Sequence, residues 1–126
     1  MVDTLGLIIS LVVHEASIQD RDGAKLVFWP ALQTMSLLVL IWADGGYTGK
    51  LIDWVKHHCG WTLEIVKRSD DMKGFHLLPH RWIVERTFAW WEDYRLLAKE
   101  YDYSPESSQA NIYLAMTHLM LRRLAR

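Results

Sequence analysis

The sequence predicts a mixed α/β fold, from three observations. Short apolar runs of strand length alternate with stretches of helical spacing. Glycine and proline punctuate the boundaries between them. The last third of the chain carries two helical patterns in succession, which places helices beside a small sheet.

The elements follow in order. Met1-Val2 reads as the end of a strand, and Leu5-Gly6 as a tight turn. Residues 7–14 form a continuous run rich in Ile and Val, expected to be a strand buried on both faces and paired antiparallel across that turn. Residues 15–23 are polar and read as a loop. Asp20 or Asp22 would cap a short helix over 24–29, which Pro30 ends or kinks. The run 37–42 has the composition of a central buried strand, stopped by Asp44-Gly45-Gly46. Residues 48–58 have helical spacing, with Leu51, Ile52 and Val55 inside, and Gly60 follows as the residue that ends the helix. Residues 61–66 partly alternate, as in a half-exposed strand near a sheet edge, and 67–73 form a charged loop.

After Pro79 a helix is expected over about 80–94. Ile83, Thr87, Trp90 and Tyr94 make one stripe, and Val84, Phe88 and Trp91 a second. Ser104-Pro105 opens the last helix, with serine as N-cap and proline in the first turn; Ile112, Met116, Leu119 and Met120 form its apolar face. The order is strand, strand, short helix, strand, helix, strand, helix, helix. It matches a ribonuclease H-like mixed sheet flanked by helices, truncated at its N-terminus, in one domain over 1–126. No third antiparallel strand is legible between residues 14 and 24.

Composition narrows the function. Apolar residues make up 51% of the chain, enough for a core that absorbs most of the seven tryptophans. Cys59 is the single cysteine, which excludes an internal disulfide and fits a cytoplasmic setting. No basic segment precedes an apolar one, so no signal peptide is expected. The run 37–43 is far short of the roughly 18 residues that suggest a membrane span. A net charge of −1 argues against a self-sufficient DNA-binding protein. Positive charge clusters locally at Lys67-Arg68, His80-Arg81 and Arg122-Arg123-Arg126, where it reads either as solvated surface or as phosphate contact. His57-His58-Cys59 with His76 and His80 lacks the paired spacing of a zinc site. Trp90-Trp91 reads as packing in preference to base stacking.

Three acids are the chemical candidates: Asp3, Asp44 and Glu85. Each has an ordinary explanation. Asp3 can form a turn, and Asp44-Gly45 is a turn signal. Glu85 can pair with Arg81 one helical turn before it, for about 0.3–0.5 kcal/mol. Jointly they point further. Asp3 and Asp44 both fall at strand ends, where ligands gather in open α/β sheets. Glu85 lies between two apolar stripes, at the expected margin of a buried surface, where an unpartnered carboxylate is costly. Three hard oxygen ligands suit Mg²⁺ and metal-assisted phosphoryl transfer.

Four stretches carry a resemblance: Val2-Asp3-Thr4-Leu5-Gly6, Asp20-Arg21-Asp22-Gly23, Ala43-Asp44-Gly45-Gly46-Tyr47, and 81–90, reading Arg81-Trp82-Ile83-Val84-Glu85-Arg86-Thr87-Phe88-Ala89-Trp90. They resemble bacterial insertion-sequence transposases of the DDE type, the group around insertion sequence five. Arg95-Leu96-Leu97-Ala98-Lys99-Glu100-Tyr101 and Leu119-Met120-Leu121-Arg122-Arg123-Leu124 are similar too.

The resemblance implies a ribonuclease H-like catalytic domain and cleavage and transfer of DNA strands with Mg²⁺, or Mn²⁺ in its place. It maps the catalytic, metal-holding triad onto Asp3, Asp44 and Glu85. Arg81 matches the family's arginine, and Arg86, Lys67 and Arg68 are further expected DNA contacts. Leu78 and Glu92 stand where the family tends to have tyrosine and lysine. The implied partners are the element's terminal repeats and a second transposase chain or upstream-frame half. Family members carry a long region before the first aspartate, whereas two residues precede Asp3 here. The chain is therefore expected to be a catalytic portion, weakly active or inactive alone. The rival expectation is an inactive fragment that binds full-length transposase and modulates transposition.

Overall fold

The computed structural model describes residues 1–66, 80–97, 99 and 102–125. Its order is α1 (Asp20–Thr34), β1 (Leu40–Ala43), a single 3₁₀ turn (Gly45–Tyr47), α2 (Lys50–Cys59), β2 (Thr62–Ile65), α3 (Arg81–Glu92) and α4 (Pro105–Leu124). The fold is mixed α/β. The chain divides into two compact units, one made of Met1–Ala16 with Ile83–Arg126, the other of Ser17–Trp82.

The Ser17–Trp82 unit is a strand–helix–strand piece with α1 packed beside it. β1 and β2 pair in parallel, with Leu40 opposite Thr62 and Ala43 opposite Ile65. A parallel pair needs a crossover, and α2 supplies it. Leu51 and Val55 turn inward from α2, and Ile41 and Leu63 from the strands. Phe28 of α1 meets Trp61 edge to face, with ring centroids 6.2 Å apart. Gly60 ends α2 at φ 71°, the left-handed conformation that glycine adopts without a Cβ penalty.

Two expectations are corrected here. β1 covers Leu40–Ala43 only, and it alternates exposed and buried side chains instead of burying both faces; Leu37 is 92% exposed. Among the described residues its sheet has one other strand, and on the exposed side Trp42 stacks on His80 with ring centroids 4.1 Å apart. α1 begins at Asp20 and runs through Pro30 to Thr34. Asp20 and Asp22 in the first turn favour the helix dipole, and Lys25 pairs with Asp22 at 3.1 Å. The polar stretch read as a loop thus holds the helix's own start.

In the other unit, residues 7–14 do not form a strand. One antiparallel bridge, Val2 to Ile8, replaces the expected hairpin. The first half of this segment bonds back to residues 1–3, with Ile9 N–H donating to Met1 O at 3.0 Å, and the second half finds partners on α4: Leu11 N–H donates to the Tyr113 hydroxyl at 3.1 Å, and Val13 N–H to Gln109 Oε1 at 3.3 Å. Side-chain acceptors take the place of a sheet ladder. α4 starts as its sequence indicates: Ser104 Oγ accepts from Ser107 N–H at 3.2 Å, with Pro105 in the first turn. Ile83 and Thr87 of α3 and Ala115 and Met116 of α4 are buried. Among the described residues, no helix is long and apolar enough to cross a membrane.

Candidate active site

Asp3 opens a closed turn. Its own N–H donates to Leu7 O at 2.9 Å, and Gly6 N–H donates back to Asp3 O at 3.0 Å. Its carboxylate oxygen Oδ1 accepts from Leu5 N–H at 2.9 Å and from Leu7 N–H at 2.8 Å. Oδ2 stands outside these bonds. Gly6 lies at φ +80°, and a Cβ there would meet Thr87 Oγ1 at 2.9 Å and Trp90 Cζ3 at 3.1 Å. The turn can lie this close to α3 because residue 6 has no side chain.

Helix α3 fastens that turn. Arg86 Nη2 donates to Leu5 O at 2.8 Å, and Thr87 Oγ1 donates to Gly6 O at 2.7 Å. Trp90, one turn further on, lies under two guanidinium groups, with Arg86 Cζ 5.0 Å and Arg123 Cζ 4.2 Å from its ring centroid. Trp91 meets Phe88 edge to face at 5.0 Å. Both tryptophans are occupied in packing, as their position on a helix suggested. Glu85 is carried by the same helix, one residue before Arg86. It is exposed, on the helix that buries Ile83 and Thr87 and half-buries Arg86. Desolvation alone does not demand a cation beside it.

Asp44 belongs to the other unit, at the end of β1. It caps the 3₁₀ turn, with Oδ1 accepting from Gly46 N–H at 2.9 Å. Both aspartates therefore hold one oxygen against backbone N–H groups, which orients the carboxylate and leaves the second oxygen to point elsewhere. Beside Asp44, Tyr47 has its phenol pKa raised, first by burial and then by the negative charges of Asp20 and Asp44. α1 packs against this 3₁₀ turn, and from its first turn the Asp20 charge acts on Tyr47.

Within either unit, no group of three or more His, Cys, Asp and Glu side chains gathers among the described residues. Taken separately, Asp3 is half-buried and Asp44 exposed, each with one carboxylate oxygen outside its turn bonds, and a carboxylate oxygen is the kind of donor a hard divalent cation takes. Of the expected DNA contacts, Arg81 and Arg86 lie on α3, while Lys67 and Arg68 fall outside the described residues. Arg86 also braces the Asp3 turn, a role its sequence position did not announce.

The sequence reading gives Thr87, Arg123 and Asp20 no link to the acids or to Trp90. Spacing puts Thr87 on an apolar stripe. Its signal was the hydroxyl itself: a threonine in mid-helix, facing a core, needs an acceptor. Nothing in the sequence connected Arg123 to Trp90, 33 positions earlier.

The sequence model of the family described as the transposase DDE domain matches residues 1–121, and the chain belongs to that family. Transposition is the activity that membership carries, with DNA as the partner and a divalent metal in general use. No curated protein and no solved structure matches the chain.

Proposed function

We propose that this chain is the catalytic part of a DDE transposase of the insertion-sequence-five group, cleaving and transferring DNA strands with Mg²⁺ at the element's terminal repeats. Asp3, Asp44 and Glu85 are its metal-holding acids, and its two compact units belong to one ribonuclease H-like domain in the bacterial cytoplasm. The observation that carries this reading is the family match, which spans all three acids. The parallel pair with an aspartate at the end of β1 supports it, as does the shared way in which Asp3 and Asp44 are held.

The residues divide the work. Asp3 and Asp44 each present the carboxylate oxygen that their turns leave over. Glu85 presents its carboxylate from α3. A divalent cation held by these acids would supply Lewis acidity to a nucleophilic water or 3′ hydroxyl and to the leaving 3′ oxygen. Arg81 and Arg86 offer guanidinium donors to phosphate oxygens, with Lys67 and Arg68 as further cations.

The test is strand cleavage of element-end DNA by the transposase carrying this sequence, alongside Mn²⁺ binding to the chain. Asp44→Asn and Glu85→Gln are each expected to lower cleavage by at least about 100-fold and to weaken Mn²⁺ binding, since even outer partners of a metal ligand are worth about 10–100-fold. Full cleavage by Glu85→Gln would refute the triad.

A second reading, association with another transposase chain, is favoured by α4. Leu114 is 67% exposed, Leu121 59% and Leu124 84%, and the first two lie two turns apart on one face. Co-purification of tagged and untagged chains tests it. Loss of that association on Leu114→Glu and Leu121→Glu is the expected result.

A further inference from the structure

Thr87 stands apart from the other helical threonines of the described residues. A threonine inside a helix commonly bonds the carbonyl four residues back, and Thr34 and Thr117 both do. Thr87 reaches Ile83 O as well, at 3.0 Å, but its shorter contact, 2.7 Å, is to Gly6 O, 81 residues earlier. A hydroxyl has one proton to give. The distances favour Gly6 O as its acceptor, and the side chain is 1% exposed, so water does not compete.

The position of that acceptor matters. Gly6 O and Leu7 N–H are the two ends of one planar peptide unit. Leu7 N–H is the donor that holds Asp3 Oδ1 at 2.8 Å. The Thr87 hydroxyl therefore grips one edge of the plane whose other edge grips the carboxylate. Arg86 does the same one unit earlier: Leu5 O accepts its Nη2, and the N–H of that peptide, Gly6 N–H, donates to Asp3 O. Rotation of either plane swings Asp3.

We infer that Thr87 is a positioning residue that sets the direction of the Asp3 carboxylate relative to the helix bearing Glu85, with Arg86 as its second tether. The inference rests on the proposed role of Asp3 for its functional meaning. Its geometry stands on the hydrogen bonds alone. Gly6 completes the device: its missing Cβ lets the carbonyl come within reach of the hydroxyl.

The experiment uses the full chain with Thr87→Val, Thr87→Ser and Arg86→Met. Two quantities are read: amide hydrogen exchange at Leu5, Gly6 and Leu7, and the midpoint of Mn²⁺ binding followed by paramagnetic relaxation. Thr87→Val keeps the shape and removes the donor. It is expected to speed exchange at Leu7 by about tenfold or more against α4 amides, and to weaken Mn²⁺ binding by about tenfold. Thr87→Ser restores both to within about threefold of the wild type. Should Thr87→Val fail to fold, Arg86→Met carries the test, with faster exchange at Gly6 and a smaller change at Leu7.

Unchanged Leu7 exchange in a folded Thr87→Val chain overturns the inference, and so does equal loosening of every amide in that unit, which marks a merely structural bond. The two readings fail separately. Mn²⁺ binding that ignores Asp3→Asn in the wild-type background removes Asp3 from the metal site, while the exchange data still decide whether Thr87 holds it.

Discussion

Asp44 has a structural task and a proposed chemical one, and substitution can separate them. An asparagine at 44 keeps a side-chain oxygen for Gly46 N–H, so Asp44→Asn is expected to unfold within about 0.5 kcal/mol of the wild type. Asp44→Ala loses the cap and is expected to cost about 1 kcal/mol. Chemical denaturation of the two variants measures both. If both weaken Mn²⁺ binding alike while only alanine destabilises, the charge and the cap are independent. The acids were legible because turn-forming aspartates stand out after apolar runs. Their geometry was not. The sequence suggested turn former and metal ligand as competing explanations for Asp3 and Asp44, whereas a carboxylate has two oxygens and the turn takes only Oδ1. Thr87 stayed hidden because spacing rules count it as one more inward position and say nothing of an acceptor 81 residues away.

At the scale of elements, Gly60 offers the cleanest prediction. It holds φ 71° with no atom within 4 Å of where a Cβ would stand, so Gly60→Ala meets backbone strain and no clash. A loss of about 1 kcal/mol is expected by thermal or chemical unfolding. A second prediction concerns the approach of α1 to the 3₁₀ turn. The Tyr47 pKa is raised above its ordinary 10.0 by burial first, and by Asp20 and Asp44 after that. The folded chain keeps a phenol proton that the unfolded chain has given up, so stability falls as pH rises above 10. Asp20→Asn is expected to bring the Tyr47 titration down toward the ordinary value, seen by NMR of ring-labelled tyrosine. The helices α2 and α4 were legible with their ends because Gly60 and Ser104-Pro105 act locally. The two apolar runs misled, since 7–14 and 37–42 have strand composition but only part of the pairing that composition invites. The start of α1 was missed because Asp20 and Asp22 read equally as loop residues and as a first helical turn.

Across the molecule, the two units differ in how the chain makes them. Ser17–Trp82 is continuous, whereas the other unit joins Met1–Ala16 to Ile83–Arg126. That junction is made of named bonds: Leu5 to Arg86, Gly6 to Thr87, Leu11 to Tyr113 and Val13 to Gln109. Removal of residues 1–16 is therefore expected to speed hydrogen exchange in α3 and α4 by more than tenfold, while α2 and β2 keep their protection. Mass-spectrometric exchange on the shortened chain reads this directly. Uniform loss across α2 and β2 as well would mean that the units do not stand apart. The fold class was legible at this scale, from alternating element types. The division was not, because hydrophobic patterning has no memory of distance along the chain.

On the ribosome, Met1–Ala16 emerge before the helices that satisfy them. Through most of synthesis the Asp3 turn has neither Arg86 nor Thr87 to lean on, and closing so long a loop is slow work for a nascent chain. Until α3 has emerged the nascent chain thus carries Asp3 unaimed, and the helix alone brings that carboxylate to order.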